Sequence, residues 1–128
     1  MSPYITLGAK DPATSHAFYQ AALATIGWAA HAEFAGGWVA YSEAGRGEGF
    51  HFWVCPPFNG APATAGNGVM LGLPARNRAE VDAFYQTALA QGGSDEGAPG
   101  LRAIYGPNWY AAYLRDPSGN KLAVVCNS

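Results

Sequence analysis

A seven-residue phrase occurs twice in this chain. Ala17-Phe18-Tyr19-Gln20-Ala21-Ala22-Leu23 returns as Ala83-Phe84-Tyr85-Gln86-Thr87-Ala88-Leu89, displaced by 66 residues in a total of 128. Laying residues 4–27 on 70–93 without a gap makes 11 of 24 positions identical, Leu7/Leu73 and Gly27/Gly93 among them. Lys10/Arg76 and Asp11/Asn77 are conservative pairs in the same alignment. A period this long, used only twice, does not suit a solenoid, which stacks many short units. The chain reads instead as two copies of one module packed as a pair.

Each copy follows the same plan. Tyr4 to Gly8 is β-compatible, and Asp11-Pro12 supplies a helix N-cap and a first-turn proline. Phe18, Ala21, Ala22 and Thr25 recur at helical spacing, and Gly27 marks the stop. Trp28 to Phe34, Trp38 to Glu43 and Phe50 to Cys55 read as strands separated by glycine turns. The Gly45–Gly49 run lacks the strand-to-helix setting of a phosphate loop and reads as a hairpin turn. Residues 56–68, with Pro56-Pro57, Asn59-Gly60, Pro62 and Asn67-Gly68, form the linker.

The second copy begins with a strand over Val69–Leu73. Asn77 and Glu80 then make an Asn-type capping box. Val81, Phe84, Tyr85, Ala88 and Leu89 form an apolar helical stripe ending at Gly92-Gly93. A loop over Ser94–Gly100 is expected next, followed by strands near Leu101–Tyr105, Trp109–Arg115 and Asn120–Cys126. The fold class is therefore α+β: one domain over 1–128, with β-α-β-β-β modules at about 1–55 and 69–128.

Composition narrows the partners. A net charge of −2 with no basic run gives nothing to grip nucleic acid or an anionic membrane. No apolar stretch approaches the ~18–20 residues of a membrane span. Cys55 and Cys126 have neither metal spacing nor a disulfide framework, so a cytoplasmic protein with free thiols is expected.

The duplication, the AFYxxAL phrase in both helices, and Asp116-Pro117-Ser118-Gly119-Asn120-Lys121 together resemble the vicinal oxygen chelate superfamily. This is the glyoxalase/bleomycin-resistance/dioxygenase group, and the last phrase is similar to its DPDGN hairpin. The segment Gly92–Arg102, with Tyr105 and Trp109-Tyr110, is similar to one bacterial branch. The resemblance implies eight strands curved into a mixed sheet around a ligand cavity, helices outside, and a homodimer. It also implies where a metal would be held. In metal-using members a His opens the first strand, where Tyr4 stands here. A second ligand falls near Trp53. The His opening the second module corresponds to Met70, and a Glu after the hairpin corresponds to Ala123. A phenol, an indole, a thioether and a methyl do not make a site for a dication, so no metal or other cofactor is expected.

Without that site, function falls to the cavity walls. His51 shares a strand face with Trp53 and Cys55, and reads either as a half-buried His hydrogen-bonded to a tyrosine or as a general base. His16 is expected on the solvent side of its helix, and Arg115 beside Asp116 reads as a surface ion pair. Tyr4, Trp53, Met70, Tyr105, Trp109, Tyr110 and Ala123 are the candidate cavity residues. Pairing Tyr113 with Leu122 would turn Tyr110 inward and Tyr113 outward; a shifted register reverses this. Arg102 and Arg115 are possible anion holders. The leading expectation is a metal-independent protein that binds a small apolar or aromatic molecule. The first alternative is a lyase (lactoylglutathione-lyase-like), isomerase or dioxygenase relative using His51 with Tyr4 or Tyr110 as acid/base groups. The second is a structural or regulatory dimer with a vestigial pocket.

Overall fold

The computed structural model describes residues 1–128. Strand β1 (Tyr4–Gly8) leads to helix α1 (Pro12–Ala24), and then to β2 (Trp28–Phe34), β3 (Trp38–Glu43) and β4 (His51–Cys55). The second module repeats this order as β5 (Met70–Pro74), α2 (Arg78–Ala90), β6 (Ser94–Leu101), β7 (Tyr110–Arg115) and β8 (Lys121–Cys126). Both helices have 13 residues and start 66 positions apart, as the repeated phrase requires. The expected duplicated β-α-β-β-β fold is present throughout.

The strands form two mixed sheets of four, ordered β1-β4-β3-β2 and β5-β8-β7-β6. No strand of one sheet hydrogen-bonds a strand of the other. In each, the first strand runs parallel to the last and the remaining pairs are antiparallel. A single core of 22 buried residues joins them. It takes Leu7, Phe52 and Val54 from one sheet, Leu73, Leu122 and Val124 from the other, and Phe18, Leu23, Val81 and Phe84 from the helices. Alternation along each strand therefore sends one face to the helices and leaves the other uncovered.

Local chemistry sets the helix ends. Asp11 accepts from the backbone N–H groups of Ala13 and Thr14. Asn77 accepts from Glu80 at 2.8 Å. Glu80 reaches back past Asn77, to the backbone and side chain of Arg76. The chain leaves α1 through Gly27, whose φ of +79° few side chains adopt. At Gly93 a Cβ would lie 2.9 Å from the Phe18 ring and 2.8 Å from two carbonyl oxygens, so the helices approach over a bare backbone.

One strand departs from expectation. Ser94–Leu101 is β6, not a loop, and Arg102–Trp109 is the turn that follows it. Gly97, Pro99 and Gly100 disguise the strand. It lies at a sheet edge, where proline and register breaks are tolerated, and its ladder with β7 shifts twice.

The Asp116–Asn120 turn is an inter-module clasp rather than a plain hairpin. Asp116 is 3% exposed and its carboxylate accepts from Tyr19 Oη (2.6 Å), two backbone N–H groups and Asn120 Nδ2. Asn120 Nδ2 also donates to Gly8 O, and Lys10 N donates to Ser118 Oγ, both at 2.8 Å. Arg115 leaves Asp116 to this network and pairs with Glu96 at 2.6 Å, correcting the expected Arg115–Asp116 pair. His16 is likewise not a solvent-side residue. Its Nε2 meets Gly37 O at 2.8 Å and its Nδ1 meets Tyr41 Oη at 2.9 Å, tying α1 to the first sheet.

Candidate functional site

The uncovered sheet faces carry the candidate residues. On the first sheet, Leu7, Val39, Tyr41, Phe52 and Val54 point into the core, so their strand neighbours point out. Trp53 is thus beside Thr6 of β1 and opposite Ala40 of β3. Its indole stacks on Phe34 at 5.2 Å between centroids and meets Trp38 edge-on at 6.3 Å. With Tyr4, Thr6 and the exposed Phe58, these rings line an open groove of about 690 Å³.

Tyr4 borders that groove and stacks on His51 at 5.6 Å, the ring planes nearly parallel at 14°. His51 does not bond a tyrosine hydroxyl; its Nδ1 donates to Gly49 O at 3.2 Å. The His31 ring meets His51 edge-on at 5.2 Å. This contact comes from a bulge: Ala30 pairs with Tyr41 and Ala32 with Ala40, leaving His31 as the extra residue. Ser42 Oγ accepts from Gly47 N at 2.8 Å and lies 2.8 Å from His31 Nδ1. The face thus gathers two imidazoles, a phenol and a hydroxyl. Cys55, on the same strand face as His51 and Trp53, is buried, and that burial raises its pKa above the ordinary thiol value.

Burial lowers the His31 pKa below the usual imidazole value, and the adjacent His51 adds to the effect. The folded chain then favours neutral His31, while the unfolded chain takes up a proton near a pH of ~6.5. The resulting stability is fully present above that pH and is lost as pH falls through it to His31's lowered value. Urea midpoints should decline from about pH 7.5 to about pH 5 in the wild type and less steeply in His31→Asn. Parallel pH curves for the two proteins would show that His31 does not carry this pH dependence.

On the second sheet the register decides which tyrosine faces out. Tyr113 pairs with Ala123, not Leu122, and Tyr110 pairs with Cys126 of the core. Tyr110 is therefore on the helix side. Its hydroxyl donates to Asp82 at 2.6 Å and the Arg78 guanidinium sits 5.2 Å from its ring centroid. Tyr110 leaves the candidate set, and Tyr113 takes its place. Met70, Tyr105, Trp109 and Tyr113 line an open groove of about 530 Å³ with Arg115 and Lys121. Trp109 Nε1 donates to Tyr113 Oη at 3.3 Å. Ala123 shares this sheet face but is 1% exposed.

The four family ligand positions are thereby split, Tyr4 and Trp53 on one uncovered face, Met70 and Ala123 on the other. Their phenol, indole, thioether and methyl do not fit a divalent cation. No three His, Cys, Asp or Glu side chains gather elsewhere as an alternative.

Sequence reasoning left Tyr113 to the register, and missed Phe34, Trp38 and Lys121 as wall residues and His31 as a partner of His51. Strand parity would have placed Trp38 with Trp53 once the β3–β4 register was known. The bulge that turns His31 has no sequence mark.

The fold is similar to several crystal structures. A glyoxalase/bleomycin resistance protein from Albidiferax ferrireducens T118 is 36% identical, with a TM-score of 0.83 over 98% of this chain and 96% of that one. A glyoxalase-related enzyme from Fulvimarina pelagi (22% identity, TM-score 0.75, 98% and 86% covered) shares the fold. So does a lactoylglutathione lyase from Agrobacterium tumefaciens (22%, TM-score 0.63, 98% and 92%). No family model and no curated protein matches the sequence. Identity above a third across nearly the full length of both chains, on the same duplicated fold, decides the family: this chain belongs to the glyoxalase/bleomycin resistance proteins of the vicinal oxygen chelate superfamily.

Proposed function

We propose that this protein binds a small, flat, apolar or aromatic molecule without a metal, in a cavity that a second copy of the chain completes. One observation carries the reading. Phe34, Trp38 and Trp53 stand together on an uncovered sheet face, and Phe34 is 63% exposed. Contiguous exposed rings on a folded protein mark a surface that something covers, and their geometry suits stacking on a planar ligand. Each uncovered face is half a cavity, and within one chain the helices and shared core separate the two halves. A homodimer that sets the first-module face of one copy against the second-module face of the other encloses the ligand. Buried free thiols at Cys55 and Cys126 suit a reducing, cytoplasmic setting.

A thermal-shift screen tests this. A ligand that binds only the native state adds about 2.7 kcal/mol at a hundredfold excess over its Kd. Neutral planar aromatics such as 2-naphthamide should raise the Tm, while Zn, Ni, Mn and Fe(II) should leave it unchanged. No response to any aromatic, together with one metal per chain lost on His51→Ala, would overturn the reading.

A second reading rests on the His31–His51–Tyr4 group. Tyr4 belongs to both the aromatic groove and the imidazole pair, so a bound ligand would lie beside groups able to move protons. An acid/base enzyme of the lyase, isomerase or dioxygenase kind would lose turnover in His51→Asn while still binding its ligand. A pure binding protein would show no turnover to lose.

A further inference from the structure

The two uncovered faces are related by the duplication, yet their chemistry differs. β1 sets Tyr4 beside His51, and β5 sets Met70 beside Lys121. Lys121 therefore stands in the second module where His51 stands in the first. Its antiparallel partner is Arg115, directly opposite on the same face. Like charges directly opposite across a ladder are destabilising. This pair lines the groove with Tyr105, Trp109 and Tyr113. A third cation, Arg102, holds its guanidinium 5.5 Å from the Tyr113 ring centroid.

The carboxylates do not balance this. Glu96 pairs with Arg115 alone. Asp95 accepts from Tyr85 Oη and Gly97 N. Asp116, next in sequence, is turned into the buried inter-module clasp. Lys121 has no ion pair at all, although it is half-buried. In a chain of net charge −2, three of seven Lys and Arg residues gather around one aromatic groove with one carboxylate between them.

We propose that the second-module face selects a single anionic group on the ligand, seated by Lys121 and flanked by Arg115. This rests on the aromatic-binding reading and narrows it, naming the ligand class as a planar aromatic acid. An anion between Lys121 and Arg115 relieves their repulsion, and partial burial strengthens the attraction relative to open water. The first-module face, with no Lys or Arg on its strands, receives the apolar part.

Calorimetric titration of the full chain with 2-naphthoate and its neutral isostere 2-naphthamide tests the proposal. Naphthoate should bind at least about tenfold more tightly, and the preference should shrink as NaCl rises from about 50 to about 500 mM. Lys121→Gln and Lys121→Met should both abolish the preference by weakening naphthoate to the level of naphthamide; Lys121→Arg should keep it. Circular dichroism of the variants checks their fold. Equal affinities in the wild type, or a preference that survives both neutral variants, would overturn anion selection and leave aromatic binding standing. Binding of neither compound would overturn both readings together.

Discussion

Phe84→Ala is expected to lower the unfolding free energy by about 3–5 kcal/mol. Phe84 is the second copy of the phenylalanine in the repeated phrase, is fully buried, and belongs to the core shared by both modules. Removing the ring forfeits its transfer energy and leaves a void that neighbours on two elements cannot both fill. Because the core is common, the loss should appear as one cooperative transition at a lower urea midpoint with an unchanged slope. A change below about 1 kcal/mol would mean that the helix does not bury its stripe.

Asp116→Ala should be of similar size, about 3–5 kcal/mol, for a different reason. The carboxylate is the acceptor for Tyr19 on the other module's helix, and the Tyr19 hydroxyl is itself fully buried. Truncation leaves that hydroxyl and the turn's N–H groups without their acceptor, and a buried donor left unpaired costs more than a bond is worth net. Burial, reinforced by the adjacent Asp116 charge, holds the Tyr19 phenol well above its ordinary pKa, so it stays a donor at neutral pH. Tyr19→Phe should cost less than Asp116→Ala, and the double variant less than the sum of the two. Strict additivity would show that the two groups are not coupled.

How much of this was legible follows from what each feature depends on. The duplication, both helices and seven of the eight strands lie in local pattern, because alternation, caps and glycine stops act over a few residues. The edge strand β6 hid behind its own glycines and proline. The site depended on register and on bulges, which are tertiary facts. A one-residue shift exchanged Tyr110 for Tyr113, and one extra residue brought His31 onto His51. Tyr4, His51, Trp53 and Met70 stand on the uncovered faces because they open or alternate along strands with core-facing neighbours. His16 and Asp116 were misjudged for a shared reason: each bonds to a partner distant in sequence, Tyr41 or Tyr19.

The proposed function requires that the rings on the first-module face hold a planar molecule with no metal between them. Its most direct test is calorimetric titration of chelator-treated protein with 2-naphthamide, for the wild type and Trp53→Ala. Saturable binding is expected, unaltered by added Zn or Ni and weakened by about tenfold or more in Trp53→Ala. Binding that appears only when metal is restored, or that is indifferent to the loss of Trp53, would contradict it.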